Sequence, residues 1–116
     1  MLQFETKVIK IEPTETSGVS FIYFSSNKGE LKLELPDKIN YFTKEDEIKI
    51  RLVDEDKPED DDKLFVKGFI YSNTKTENDK RIILISIGGL IFKLVMEDNS
   101  ELTNLKPKHD IYIGFK

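Results

Sequence analysis

The chain has 116 residues, of which 38% are apolar, and this length and composition predict a single domain with one hydrophobic core. It contains no cysteine, which excludes disulfides, thiolate metal sites and thiol nucleophiles and is compatible with a reducing compartment. The formal net charge is -4, and no apolar run approaches the ~18 residues that a membrane-spanning helix needs. Because Met1 is not followed by a charged and then apolar leader, we expect a soluble, cytoplasmic protein.

Apolar and polar residues alternate with a period of two along most of the chain, which predicts β-strands rather than helices. The alternation is clearest at Leu31, Leu33 and Leu35 and again over residues 48–52, where each strand has one apolar and one polar face. In chain order, strands are predicted over residues 2–11, 19–25, 31–35, 48–52, 64–71, 81–87, 90–96 and 110–115.

Helix is scarce in this pattern. A short turn is predicted over residues 37–42, with Tyr41 and Phe42 packed inward. A second is predicted over residues 100–105 and capped by Ser100. Neither offers a recognition helix for the major groove of DNA.

Closure of the strands into a barrel is the expected arrangement. Eight short antiparallel strands would leave exposed edges in an open sheet, and closure removes them. The sequence therefore predicts an all-β, OB-fold-like, antiparallel Greek-key barrel of about eight strands, which forms one domain over residues 1–116.

One segment, residues 54–62, is strongly acidic. It holds seven acidic residues and one lysine, whereas the rest of the chain is nearly balanced, with 15 acidic and 17 basic residues. An EF-hand that begins at Asp54 would need glycine at its sixth position, where the chain has Glu59. Because dense like charges repel one another, we predict a solvated, mobile loop, with binding of a basic partner as the alternative.

The residue inventory argues against catalysis. His109 is the only histidine, it lies in a predicted loop, and no cysteine exists to pair with it as a nucleophile. No glycine-rich phosphate-binding motif occurs, and Gly88-Gly89 is not followed by a predicted helix. We therefore expect no catalytic residue, no cofactor and no metal ion. An enzyme that uses carboxylates of the acidic segment is the remaining alternative.

Aromatic residues on two predicted strands raise the possibility of nucleic-acid binding. OB-fold proteins bind single strands by stacking bases on exposed rings beside basic side chains. Tyr23 and Tyr71 are the rings expected to be exposed, but the nearby bases Lys28, Lys63 and Lys67 do not form a stripe in the sequence. Core packing is the simpler explanation for most of these aromatic residues.

Two strands are apolar on both faces. Residues 81–87 and 90–96 carry Ile, Leu, Val or Phe at odd and even positions, whereas a strand with one solvated face alternates. One face fills the barrel core, so the other requires cover from the same chain or from another protein. The sequence therefore predicts a protein interface on these strands.

A paired glycine separates the two strands, in the run Ser86-Ile87-Gly88-Gly89-Leu90. Upstream stands Phe65-Val66-Lys67-Gly68-Phe69, and near the end of the chain stands Asp110-Ile111-Tyr112. This order resembles the small OB-fold-like subunit shared by archaeal RNA polymerases, where it is the G subunit, and eukaryotic nuclear RNA polymerases, where it is the eighth subunit. The match is good over residues 31–116 and rests on strand order alone before that.

The resemblance implies a non-catalytic assembly subunit of DNA-directed RNA polymerase that docks on the largest subunit, while nucleotide chemistry, magnesium and zinc belong to other chains. Because the sequence shows no basic stripe, we expect no direct base-specific contact with nucleic acid. The residues predicted to contact the partner are the paired-glycine turn and its apolar neighbours, namely Ile83, Ile85, Gly88, Gly89, Leu90 and Ile91. A stand-alone OB-fold protein that binds single-stranded nucleic acid is the alternative.

Overall fold

The computed structural model of the protein describes residues 2–116, so Met1, the first residue of the predicted domain, lies outside the described residues. The described chain forms β1 (Leu2–Pro13), β2 (Val19–Ser26), β3 (Gly29–Pro36), a 3-10 helix (Asp37–Ile39), β4 (Glu47–Val53), β5 (Leu64–Lys75), β6 (Lys80–Ile87), β7 (Leu90–Glu97), α1 (Ser100–Thr103) and β8 (His109–Phe115). All eight predicted strands are present, and each is longer than predicted, with the largest extensions in β3 and β5.

The strands close into a barrel, because each one pairs with two neighbours. The order around the barrel is β1-β2-β3-β7-β6-β5-β8-β4, and β4 pairs again with β1. All of these pairs are antiparallel. The predicted all-β, OB-like antiparallel barrel is confirmed, and the alternating pattern explains it, since every strand turns one set of apolar side chains inward.

The centre of the core is aromatic. The ring centroid of Phe115 lies 5.8 Å from that of Phe24 and 5.6 Å from those of Phe42 and Phe92. All four rings are buried, and the Phe42 and Phe92 rings meet Phe115 edge to face. Such aromatic pairs contribute about 0.5–1.5 kcal/mol beyond the burial of apolar area.

The barrel consists of two similar halves. Strands β1 to β4 have 12, 8, 8 and 7 residues, and β5 to β8 have the same lengths in the same order. The halves meet at two seams: β3 pairs with β7 about Lys32 and Lys93, and β4 pairs with β8 about Arg51 and Gly114. The registers within each half also repeat, so an approximate twofold axis relates the halves. Residues related by this axis are called equivalent below.

A β-bulge marks equivalent points in the first strand of each half. The register shifts between Val8 and Lys10 in β1 and between Ile70 and Ser72 in β5. The first part of each long strand pairs with the last strand of its own half, and pairing with the second strand begins just before the bulge and continues beyond it. The bulge therefore bends one strand so that it serves two neighbours.

The connections differ from the prediction in two details. Phe42 is buried as predicted, but Tyr41 is 60% exposed, because the chain between the 3-10 helix and β4 turns only one of these rings inward. The N-cap of α1 is Asn99 rather than Ser100, since the Asn99 side chain accepts a hydrogen bond from the backbone N–H of Leu102.

Candidate partner interface

Two of the residues predicted to contact a partner belong to the core instead. Ile83 and Ile85 are 0% exposed, and they point into the barrel with Phe92 and Leu94 of the neighbouring strand β7. Because side chains alternate along a strand, the outward positions of β6 are those between them. A partner could therefore contact β6 only through the other set of residues.

The outward side chains of β5, β6 and β7 form a largely apolar surface. Register places Leu84 opposite Lys93, and it places Ile82 opposite Val95 and Ser86 opposite Ile91 and Phe69. Phe69 and Tyr71 are 41% and 45% exposed, and the others are half-buried. We call this surface the outer apolar face, and its apolar members are Phe69, Tyr71, Ile82, Leu84, Ile91 and Val95.

The equivalent surface on β1, β2 and β3 is more polar, because three of its six positions carry charged residues. Its members, in the same order, are Lys7, Ile9, Phe21, Tyr23, Glu30 and Glu34. Lys7 pairs with Glu45 at 3.0 Å, and the Tyr23 hydroxyl donates to Glu12 at 2.7 Å. The same backbone positions therefore accept polar residues, so the fold itself does not require apolar side chains on the outer apolar face.

The paired-glycine turn has a left-handed backbone at both glycines. Gly88 has φ +57° and Gly89 has φ +90°, and both residues are exposed. No heavy atom lies within 4 Å of a Cβ built on either residue, so positive φ rather than close packing explains the glycines. Leu90, which follows the turn, is half-buried. The turn borders the outer apolar face through Ile91.

A second charged group lies over the seam between β4 and β8. Arg51 points outward from β4, yet it is only 5% exposed because Asp62 covers it. Its Nη1 and Nη2 donate to the two carboxylate oxygens of Asp62 at 2.5 and 2.6 Å, a bidentate arrangement. These hydrogen bonds hold the pKa of Asp62 below its usual value and raise the pKa of Arg51.

The acidic segment is therefore attached at its C-terminal end. Lys116 Nζ contacts Glu59 at 2.6 Å and Asp61 at 3.3 Å, and the backbone N–H of Glu59 donates to Asp62. These contacts correct the prediction of a wholly solvated loop. The sequence could not reveal them, because Arg51 and Lys116 lie in other parts of the chain.

Basic side chains do lie beside two of the aromatic rings. Lys32 Nζ is 3.9 Å from the centroid of Phe21 and 5.4 Å from that of Tyr23, and Lys10 Nζ is 5.1 Å from Tyr23. The hydrogen bond to Glu12 raises the pKa of Tyr23 to about 12. The sequence analysis missed Lys10 and Lys32 because they reach the rings from neighbouring strands.

The other sequence features considered for catalysis, metal binding and membrane insertion have the following places in the structure. His109 is exposed and begins β8 rather than lying in a loop. Within residues 2–116, no group of three or more His, Asp or Glu side chains has the arrangement of a metal site. Neither helix in the described part of the chain is long and apolar enough to cross a membrane.

The fold and this surface define a small OB-like barrel with an uncovered apolar face, a class suited to assembly with other chains. Comparison with protein families identifies the assembly to which the chain belongs. The chain belongs to the family of the G subunit of DNA-directed RNA polymerase, whose model matches residues 1–116. Comparison with curated proteins gives no match. The resemblance noted in the sequence is thereby confirmed over the whole chain.

Proposed function

We propose that this RNA polymerase subunit is non-catalytic and that it docks on the largest subunit through the outer apolar face. Family membership supports assembly into the polymerase, and the resemblance supports the choice of the largest subunit. We further propose that the chain works as one unit in the cytoplasm and needs no cofactor of its own.

The difference between the two equivalent surfaces is the observation that carries this proposal. Lys7, Glu30 and Glu34 stand on the first half where Phe69, Ile91 and Val95 stand on the second. Exposed apolar side chains gain free energy when a partner removes them from water, by roughly 25 cal/mol per Å². A barrel that worked alone would have no use for this asymmetry.

Leu84→Glu tests the proposal, because Lys93 lies directly opposite and can pair with the new carboxylate on the surface. We expect this variant to melt like the parent and to lose at least about tenfold in affinity for the polymerase that lacks this subunit. Ile85→Glu should unfold the barrel, and Lys7→Gln, at the exposed position of the first half equivalent to Phe69, should leave both properties unchanged. Parent-like assembly of both Leu84→Glu and Ile91→Glu would contradict the proposal.

The partner can be identified separately. A photo-crosslinking residue at Phe69, which is 41% exposed, should give a covalent product with the largest subunit. A crosslinker at Lys7, the exposed position equivalent to Phe69 on the first half, serves as the control and should give none. Products with a different subunit alone would reject the assignment of the largest subunit while leaving the docking face intact.

The cluster of Lys10, Lys32, Phe21 and Tyr23 supports a second candidate, binding of single-stranded nucleic acid. Glu12, Glu30 and Glu34 lie on the same surface, so its charge is balanced and we expect only weak binding. Fluorescence anisotropy with a labelled single-stranded oligonucleotide at physiological salt tests this. A sub-micromolar dissociation constant that Tyr23→Ala weakens would favour this candidate.

A further inference from the structure

The two ends of the barrel are equivalent by the twofold axis but are closed differently. At one end Phe42 is buried, with its ring 5.5 Å from Phe24 and 5.6 Å from Phe115 between centroids. At the other end the residue equivalent to Phe42 is Leu105, because Phe42 and Leu105 are as far apart in the sequence as Arg51 and Gly114. There a recess of about 440 Å³ remains open.

The floor of this recess is apolar and its rim is charged. Side chains at the end of the barrel core form the floor, namely Leu2, Leu52, Ile70, Leu105 and Ile111. The rim carries the carboxylates of Asp54, Glu101 and Asp110 together with Lys106 and His109. The volume falls within the roughly 300–1,000 Å³ that binding pockets span.

The part of the floor that Leu105 forms is held in place by hydrogen bonds. The side-chain amide of Asn73 donates to the carbonyl oxygens of Leu102 and Leu105 at 2.9 and 2.6 Å. Arg81 in turn donates to the Asn73 side chain at 3.0 Å and to Asp98 at 2.8 Å. Because these bonds attach the β7–β8 connection to β5 and β6, the recess is part of the folded barrel.

We propose that the recess receives one bulky apolar side chain, flanked by basic residues, from the polymerase chain on which the subunit docks. This inference rests on the proposed function. The partner supplies at this end the ring that Phe42 supplies at the other. The apolar floor selects the side chain, because polar groups without hydrogen-bond partners are costly to bury there.

The acidic rim of the recess selects the partner residues that flank the inserted apolar side chain. Asp110 pairs with Lys67 at 3.4 Å, but among residues 2–116 neither Asp54 nor Glu101 has an ion pair. Asp54 also begins the acidic segment, whose first residues extend the negative surface beyond the rim. Lysine or arginine on either side of the apolar residue would complement these carboxylates.

Peptide binding to the full chain tests the chemistry. Lys-Lys-Phe-Lys-Lys should shift the backbone amide resonances of Leu52, Leu105 and Ile111, whereas Lys-Lys-Ala-Lys-Lys should not. Leu105→Trp fills the recess from within and should abolish the effect. Lys38→Trp, an exposed position equivalent to Glu101 at the other end of the barrel, is the control and should not. Equal shifts by the two peptides, or shifts confined to other surfaces, would overturn the assignment of an apolar side chain.

Assembly with the polymerase that lacks this subunit tests the role. We expect Leu105→Trp to lower affinity at least about tenfold, and Glu101→Lys to lower it with a smaller loss at high salt. If Leu105→Trp does not fold, Glu101→Lys and Asp54→Lys carry the test. Parent-like assembly of the folded recess variants overturns this inference, and if Leu84→Glu still blocks assembly, the proposed function stands without it.

Discussion

The guanidinium group of Arg51 occupies the space that a Cβ atom on Gly114 would take. The two residues lie opposite each other in the β4–β8 pair, where the twofold axis passes between the halves. From there the guanidinium reaches Asp62 and lies 5.5 Å from the ring centroid of Phe65, which itself stacks on Tyr112. One arginine thus connects both halves and the segment that joins them.

Asp62→Asn should lower the free energy of unfolding by about 2 kcal/mol, because it removes the bidentate partner of the buried Arg51 and leaves it only the partly exposed Glu59, 3.4 Å away. Urea denaturation at pH 7 measures this. Asp60→Asn, at an exposed position of the same segment, is the matched control and should change stability by less than about 0.5 kcal/mol. Arg51→Met combined with Asp62→Leu should recover much of the loss. Equal stability of Asp62→Asn and Asp60→Asn would show that the pair contributes nothing.

Stability should also depend on pH through Asp62. Arg51 lowers the pKa of Asp62 in the folded state, so the unfolded state binds protons more readily in acid. The contribution of Asp62 is therefore fully present above the unfolded-state pKa, about 4, and is lost as pH falls through the folded-state pKa. The midpoint of urea unfolding between pH 7 and acid should fall more steeply for the parent than for Asp62→Asn. Parallel curves would contradict the expectation; Glu12 and Asp98, whose pKa values are also lowered, account for the slope that remains.

Gly114→Ala should destabilise the barrel by about 2 kcal/mol, because its Cβ displaces Arg51 from Asp62. In an Arg51→Ala background the same change should cost less than about 1 kcal/mol, since the space is then free. A double-mutant cycle measured by urea denaturation gives the difference. Additive effects would mean that Gly114 has another role.

Val at Gly88 or Gly89 should cost about 1–3 kcal/mol, because both residues have positive φ and β-branched side chains rarely adopt it. Gly88→Asn should cost less than about 1 kcal/mol, because asparagine tolerates this conformation. Thermal melting measures the order of the three variants. If both Val variants melt like the parent and still join the polymerase, the turn has no special role.

Strand number and closure were predictable because period-two patterns are local. The choice of face on β6 was not: residues 82–85 are all apolar, so either set could have faced inward, and pairing with β7 decides that Ile83 and Ile85 do. The contacts of Lys32 with Phe21 and of Arg51 with Asp62 join distant parts of the chain. No spacing in the sequence encodes such contacts. The equivalence of the halves was hidden for a similar reason, since it survives in strand lengths and registers rather than in residue identity.

The difference between Arg51 and Gly114, which face each other on the twofold axis, disfavours one kind of mispairing during synthesis. On a polysome, β1 to β4 emerge before β5 to β8, so two nascent first halves can meet with their seam strands unpaired. A barrel made from two such copies would place Arg51 against Arg51 on the axis, with two like charges in the space that here holds one guanidinium. Only closure with the second half places Gly114 opposite Arg51 and leaves space for one guanidinium group. The β4–β8 seam therefore favours closure with the second half of the same polypeptide over pairing with the first half of another copy.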